Sequence, residues 1–133
     1  MKIIIHTDGG ARGNPGPAGI GAVLKNEQGQ LLAEVSEYIG QATNNQAEYK
    51  AVIFALDKAQ EIGGKVLEFY LDSELVVKQL NREYKIKNKD LQSLFVKIYN
   101  KIFYFKKVTF KHIPRERNKE ADKLANLAMD RKG

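Results

Sequence analysis

The sequence predicts an α/β fold, a mixed five-stranded sheet with helices on both faces. Three observations predict it. The apolar pattern orders the elements βββ-α-β-α-α-β-α. The three leading strands are joined by short, turn-rich links, which implies antiparallel pairing at the start. The strand–helix–strand crossover that follows implies parallel pairing, and such a sheet needs helices on both faces.

Residues 1–8 form the first strand, around the run Ile3, Ile4, Ile5. "GGARGNPGPAG" is dense in Gly and Pro and reads as a turn. Residues 18–25 and 31–39 are the next two strands, with "NEQGQ" as their hairpin turn. Residues 44–62 form a helix. Thr43 and Gln46 have capping-box spacing, Val52, Ala55, Ala59 and Ile62 recur on one face, and Gly63-Gly64 ends it. "KVLEFYL" at 65–71 is the fourth strand.

A short helix is expected at about 74–82 and a longer one at about 88–103, with Leu91, Leu94, Phe95, Ile98 and Ile102 facing the core. Residues 107–113 are the fifth strand. Residues 118–131 are the last helix, with Ala121, Leu124, Ala125 and Ala128 inward. No repeat or linker interrupts the chain, so residues 1–133 are expected to form a single domain.

Composition narrows the chemistry. Hydrophobic residues make up 43% of the 133, enough for one core. Cysteine is absent, which excludes disulfides and thiolate metal sites. Two His are too few for a His-rich zinc site, so a catalytic metal needs mostly oxygen ligands. The formal charge of +6 fits a polyanionic partner. The apolar run at residues 3–5 is too short for a signal peptide or membrane span, and a cytoplasmic protein is expected.

Four acidic residues stand where a solvated charge is out of place. Asp8 ends an apolar strand beside the Gly-rich turn. Glu48 precedes Val52 and Ala55 by four and seven residues, along the apolar face of its helix. Asp72 closes "VLEFYLD". Asp122 precedes Ala125 and Met129 by three and seven residues. Singly, each reads as a turn or helix-cap residue, or a solvated one. Together they are different. A parallel α/β sheet gathers strand ends and helix starts on one rim. Carboxylates collected there repel, and at least one pKa rises. A divalent cation resolves the repulsion. Mg²⁺ suits carboxylates, waters and phosphate oxygens, and a pair of ions about 3.5–4 Å apart is a known device for phosphodiester cleavage.

"TDGGARGNPGPAGIGAV" at 7–23, "TNNQAEYKAVIFAL" at 43–56, "LDSELVVKQL" at 71–80 and "RNKEADKLANLA" at 117–128 closely resemble the four signature segments of type 1 ribonuclease H. The resemblance covers nearly the whole chain, in order. It implies the ribonuclease H fold with strand order 3-2-1-4-5. It implies hydrolysis of the RNA strand of RNA–DNA hybrids by two Mg²⁺ ions, with Mn²⁺ able to substitute, leaving 5′-phosphate and 3′-hydroxyl ends. It assigns the metal ligands to Asp8, Glu48, Asp72 and Asp122. Asp8 is expected to be the bridging ligand, because it occupies the central strand. It also implies RNA-strand contacts from the backbone of Gly10 to Gly13 and from Asn14, Asn45 and Glu74. Thr43 and Asn44 would lie by the DNA strand. A monomer is expected.

The chain departs from the family twice. "NREYKIKNKDLQ" runs almost directly between the middle helices, so the basic protrusion of familiar bacterial enzymes is absent, and Lys85, Lys87 and Lys89 form a smaller basic edge. The loop before the last helix is also short. His112 has the family histidine's spacing from Asp122 but reads as strand, which leaves Arg115 for that role. Arg stays protonated and cannot act as a base, so its expected part is to hold a phosphate. Rival readings are a nuclease that also cuts double-stranded RNA, an integrase-like or junction-cutting nuclease on the same scaffold, and a non-catalytic nucleic-acid-binding module.

Overall fold

The computed structural model describes residues 1–131. The elements are β1 (Lys2–Ala11), β2 (Gly16–Lys25), β3 (Leu31–Ala42), α1 (Asn44–Glu61), β4 (Val66–Leu71), α2 (Glu74–Leu80), α3 (Lys89–Ile102), β5 (Lys107–His112) and α4 (Lys119–Arg131), with a 3-10 turn at Arg115–Arg117. The sheet order is β3-β2-β1-β4-β5. β1 pairs antiparallel with β2 and parallel with β4, and β4 pairs parallel with β5. The predicted mixed sheet and its order are present, and β1 lies at its centre.

Alternation along β1 sets up two layers. Ile3, Ile5 and Thr7 are buried, whereas Ile4, His6 and Asp8 on the opposite face are half-buried. The Ile3 side belongs to the main core with Ala47, Ala51, Val52 and Ala55 of α1. α4 covers the other side. At Gly21, opposite Asp8 in the β1–β2 ladder, a Cβ would collide with the Ala121 carbonyl of α4. That close approach brings the start of α4 over the sheet centre.

The first turn is shorter than the sequence predicts. β1 continues through Gly9↔Ile20, Gly10↔Gly19 and Ala11↔Ala18, so only residues 12–15 remain for the turn. Gly9 and Gly10 are extended strand, held by the ladder rather than by their own preference. β3 likewise runs on to Ala42. Ile62, Leu94, Phe95, Ile102 and Leu124 are only partly buried, a shallower seating than their spacing implies. The capping box is present: Thr43 Oγ1 accepts from Gln46 N at 3.1 Å, and Gln46 Oε1 accepts from Thr43 N at 2.9 Å. Among the described residues no helix is long and apolar enough to cross a membrane.

Candidate active site

The end of β1, the end of β4 and the starts of α1 and α4 converge on one rim of the sheet. A cleft of about 480 Å³ opens there, and Asp8, Glu48, Asp72 and Asp122 all line it. Carboxylate oxygens of Asp8, Glu48 and Asp72 lie within 4.8 Å of one another. Asp122 borders the same cleft from the first turn of α4 but stands outside that trio.

Each side chain is held by its element. Gly9 N donates to Glu48 Oε1 at 2.6 Å. The contact exists because α1 presses on β1 where residue 9 has no side chain: a Cβ at Gly9 would overlap the Ala47 carbonyl. Glu48 is 6% exposed, and its Oε2 has no hydrogen-bond partner. Asp72 Oδ2 accepts from Asn118 Nδ2 at 3.0 Å.

Electrostatics reflect the crowding. Burial, and then the charge of Asp72, pushes the Asp8 carboxyl up to about 7. Burial and the neighbouring Asp8 charge hold the Glu48 carboxyl well above the ordinary range. Three crowded carboxylates, Glu48 buried and Asp8 and Asp72 half-buried, with an orphaned oxygen among them form a hard, anionic donor set. That set fits a divalent cation bound through oxygen, as Mg²⁺ and Mn²⁺ are.

The other candidate residues divide. Gly10, Asn44, Asn45 and Arg115 line the cleft. Asn44 Oδ1 accepts from Ala11 N at 2.8 Å, and Asn14 Oδ1 accepts from Asn44 N at 3.0 Å, so the 12–15 turn is tied to the head of α1. Thr43 caps that helix. Gly13, Asn14, Thr43 and Glu74 are not among the cleft-lining residues. Glu74 is exposed at the start of α2, with Lys78 Nζ at 3.9 Å. Arg115 reaches over the rim, 82% exposed, with Nη2 3.9 Å from Asp122 Oδ1. His112 is exposed and ends β5, as its sequence context implies.

Sequence reasoning missed Asn118, Arg12 and Asn126. Arg12 and Asn126 line the cleft. Asn118 is 1% exposed and bonds both Thr7 O and Asp72. An Asn just before a helix reads as a cap, and that ordinary signal hid it.

This strand order, with carboxylates gathered at the end of the central strand, defines a ribonuclease H-like α/β domain. The family described as reverse transcriptase-like matches residues 6–128, and the chain belongs to it. The "Bifunctional protein Rv2228c" of Mycobacterium tuberculosis is 45% identical over 98% of this chain, which spans 36% of that relative's length. RNase H1 of the archaeon Halobacterium salinarum superposes with a TM-score of 0.96 at 41% identity, covering 98% of this chain and 99% of the other. LC11-RNase H1, isolated from compost and solved with an RNA/DNA hybrid, gives 0.93 at 48% identity, covering 97% of each chain.

Proposed function

We propose that the protein is an endoribonuclease that hydrolyses the RNA strand of RNA–DNA hybrids with divalent metal ions, leaving 5′-phosphate and 3′-hydroxyl ends. The observation that carries this reading is the meeting of Asp8, Glu48 and Asp72 oxygens within 4.8 Å in an open polar cleft. The hybrid complex of the similar LC11-RNase H1 supports the choice of substrate.

Asp8, Glu48 and Asp72 would hold Mg²⁺, with Asp122 completing the set from α4; Mn²⁺ would substitute. When bound, a pair of such ions supplies positive charge that activates water and steadies the departing oxygen. The chain's own residues do the rest. Gly10 lets the backbone approach the RNA strand closely. Asn14 and Asn45 offer amides to the 2′-hydroxyls of the wide minor groove, the feature that separates RNA from DNA. Glu74, on the same side of the sheet rim, is assigned to the RNA strand as well. Thr43 and Asn44 at the head of α1 face the DNA strand, where a helix N-terminus favours phosphate. Arg115 holds a phosphate at the cleft mouth.

The site is assembled within one chain, which supports a monomer acting as a single ribonuclease H domain. A cytoplasmic location belongs to the same proposal. The test is cleavage of labelled hybrid, single-stranded RNA, double-stranded RNA and duplex DNA in Mg²⁺, Mn²⁺ or chelator. Expected is cleavage of the hybrid's RNA strand in metal and none in chelator. Cleavage of duplex DNA with the hybrid left intact would overturn the reading.

A further inference from the structure

We propose that Asn118 is a positioning residue of the metal site, locking together the strand end beside Asp8, the Asp72 carboxylate and the head of the helix that carries Asp122. The inference rests on the metal-dependent reading above.

The parallel ladder of β1 with β4 stops at His6↔Tyr70. The next β1 carbonyl, at Thr7, has passed the last pair and accepts instead from Asn118 Nδ2 at 2.8 Å. The second Nδ2 hydrogen reaches Asp72 Oδ2 at 3.0 Å. The Asn118 carboxamide therefore fills the fork where the strands leading to Asp8 and Asp72 part. Both its partners are acceptors, so the flipped amide, with Oδ1 inward, would face two oxygens and is excluded.

The main chain of Asn118 supplies a third tie. Its carbonyl accepts from Asp122 N at 3.1 Å, the first turn of α4. Helix capping is the ordinary job of an Asn at this position. Here the side-chain oxygen does not cap: Oδ1 is buried without a protein partner, and the amide hydrogens serve the strand fork. At 1% exposure the side chain has no room to relax away. Losing it frees Asp72 to rotate and opens the gap between two ligand-bearing strands.

The test uses Asn118→Ala and Asn118→Ser. Ser keeps a helix-capping side chain but is too short to span both acceptors. Mn²⁺ affinity is read by titration calorimetry, and kcat and KM are read on hybrid. Both variants are expected to lose roughly 10–100-fold in Mn²⁺ affinity and in kcat, while KM for hybrid stays within about threefold, because no substrate contact is removed. In an Asp72→Asn background, Asn118→Ala is expected to lower Mn²⁺ affinity by a smaller factor than it does alone.

Restoration of affinity and kcat by Ser would reduce Asn118 to a helix cap and overturn the assignment. So would loss of native circular dichroism in both variants, which would make the role one of folding. Wild-type Mn²⁺ binding matched by both variants overturns this assignment alone, whereas a wild-type protein that binds no Mn²⁺ overturns the metal-dependent reading as well.

Discussion

The backbone N–H of Gly9 donates to Glu48 Oε1 at 2.6 Å, joining the residue after Asp8 to a carboxylate 39 positions away. The bond fixes one Glu48 oxygen against the sheet and leaves the other unpartnered in the buried site. Glu48→Gln keeps an acceptor for Gly9 but removes the charge. The variant is expected to melt at or above the wild-type temperature without metal, because a buried like charge is gone. Hybrid cleavage is expected to fall by about 100-fold or more, the scale for losing one electrostatic element of a site. Thermal melts and initial rates check both halves; near-wild-type rates would remove Glu48 from the ligand set.

Gly9→Ala tests the same junction from the strand side. The new Cβ overlaps the Ala47 backbone, which cannot swing aside as a flexible side chain does. A loss of roughly 1–3 kcal/mol is expected, the range for overpacking. Because α1 carries Glu48, activity should fall together with stability. Urea unfolding and cleavage of hybrid on one preparation measure the pair.

Asp8 gives a pH signature. Its carboxyl is pushed up to about 7 by burial and by Asp72, whereas an unfolded Asp titrates near 3.9. Between these values the folded state binds the extra proton, so the contribution of Asp8 to stability without metal is fullest below pH 4 and is lost as pH rises through 7. Asp8→Asn removes that decline. In chelator the variant should be more stable than wild type by roughly 1–3 kcal/mol at pH 8 and about equal at pH 4. Saturating Mg²⁺ should close the gap by stabilising wild type, and Asp8→Asn should be inactive. Melting series from pH 4 to 8.5, with and without Mg²⁺, read this; a gap that does not grow with pH would contradict it.

The clustering of carboxylates in the cleft was largely legible, because these residues sit near the ends of strongly patterned elements. Asp8 and Asp72 follow directly on apolar strand runs, and Glu48 shares a face with buried Val52 and Ala55. Periodicity reports such positions directly. Contacts between distant segments are another matter. Gly9 and Gly10 read as turn, yet lie in β1, because pairing with β2 decides their conformation. Asn118 has no pattern to betray it: its importance lies in a carbonyl 111 residues away at Thr7, and only the assembled fork reveals it. The 3-10 turn that presents Arg115 was equally invisible, since neither helical nor strand spacing marks three residues.

Arg115 separates substrate handling from folding. It is 82% exposed, and its 3.9 Å pairing with Asp122 is long and solvated, so it contributes little to stability. Arg115→Ala should leave the melting temperature unchanged within about 1 °C and lower hybrid cleavage by roughly tenfold, the scale of one charge-assisted phosphate contact. Arg115→Lys should recover part of the rate, keeping the charge but losing the fork. Unchanged cleavage by the Ala variant would leave Arg115 as a solvated loop residue.

Salt dependence should distinguish the basic residues from one another. Residues 82–107 hold eight Lys or Arg against two acids, a surplus equal to the whole chain's +6. They do not all lie beside the cleft. Asp90 accepts from Gln46 Nε2 at 3.4 Å, which sets the head of α3 next to the head of α1. Lys87 and Lys89 are therefore close to the Thr43–Asn45 rim. Lys106 is at the opposite end of the sheet, its N–H bonded to Lys65 O at 2.8 Å. Each phosphate contact adds about 0.9 to the slope of log affinity against log salt on a B-form duplex. Lys87→Ala and Lys89→Ala should each weaken hybrid binding at low salt and flatten that slope by up to about 0.9. Lys106→Ala should do neither, although it removes the same charge. Binding measured from about 50 to 200 mM salt decides between a local basic edge and a diffuse field: equal effects from all three would mean that net charge alone draws the hybrid in.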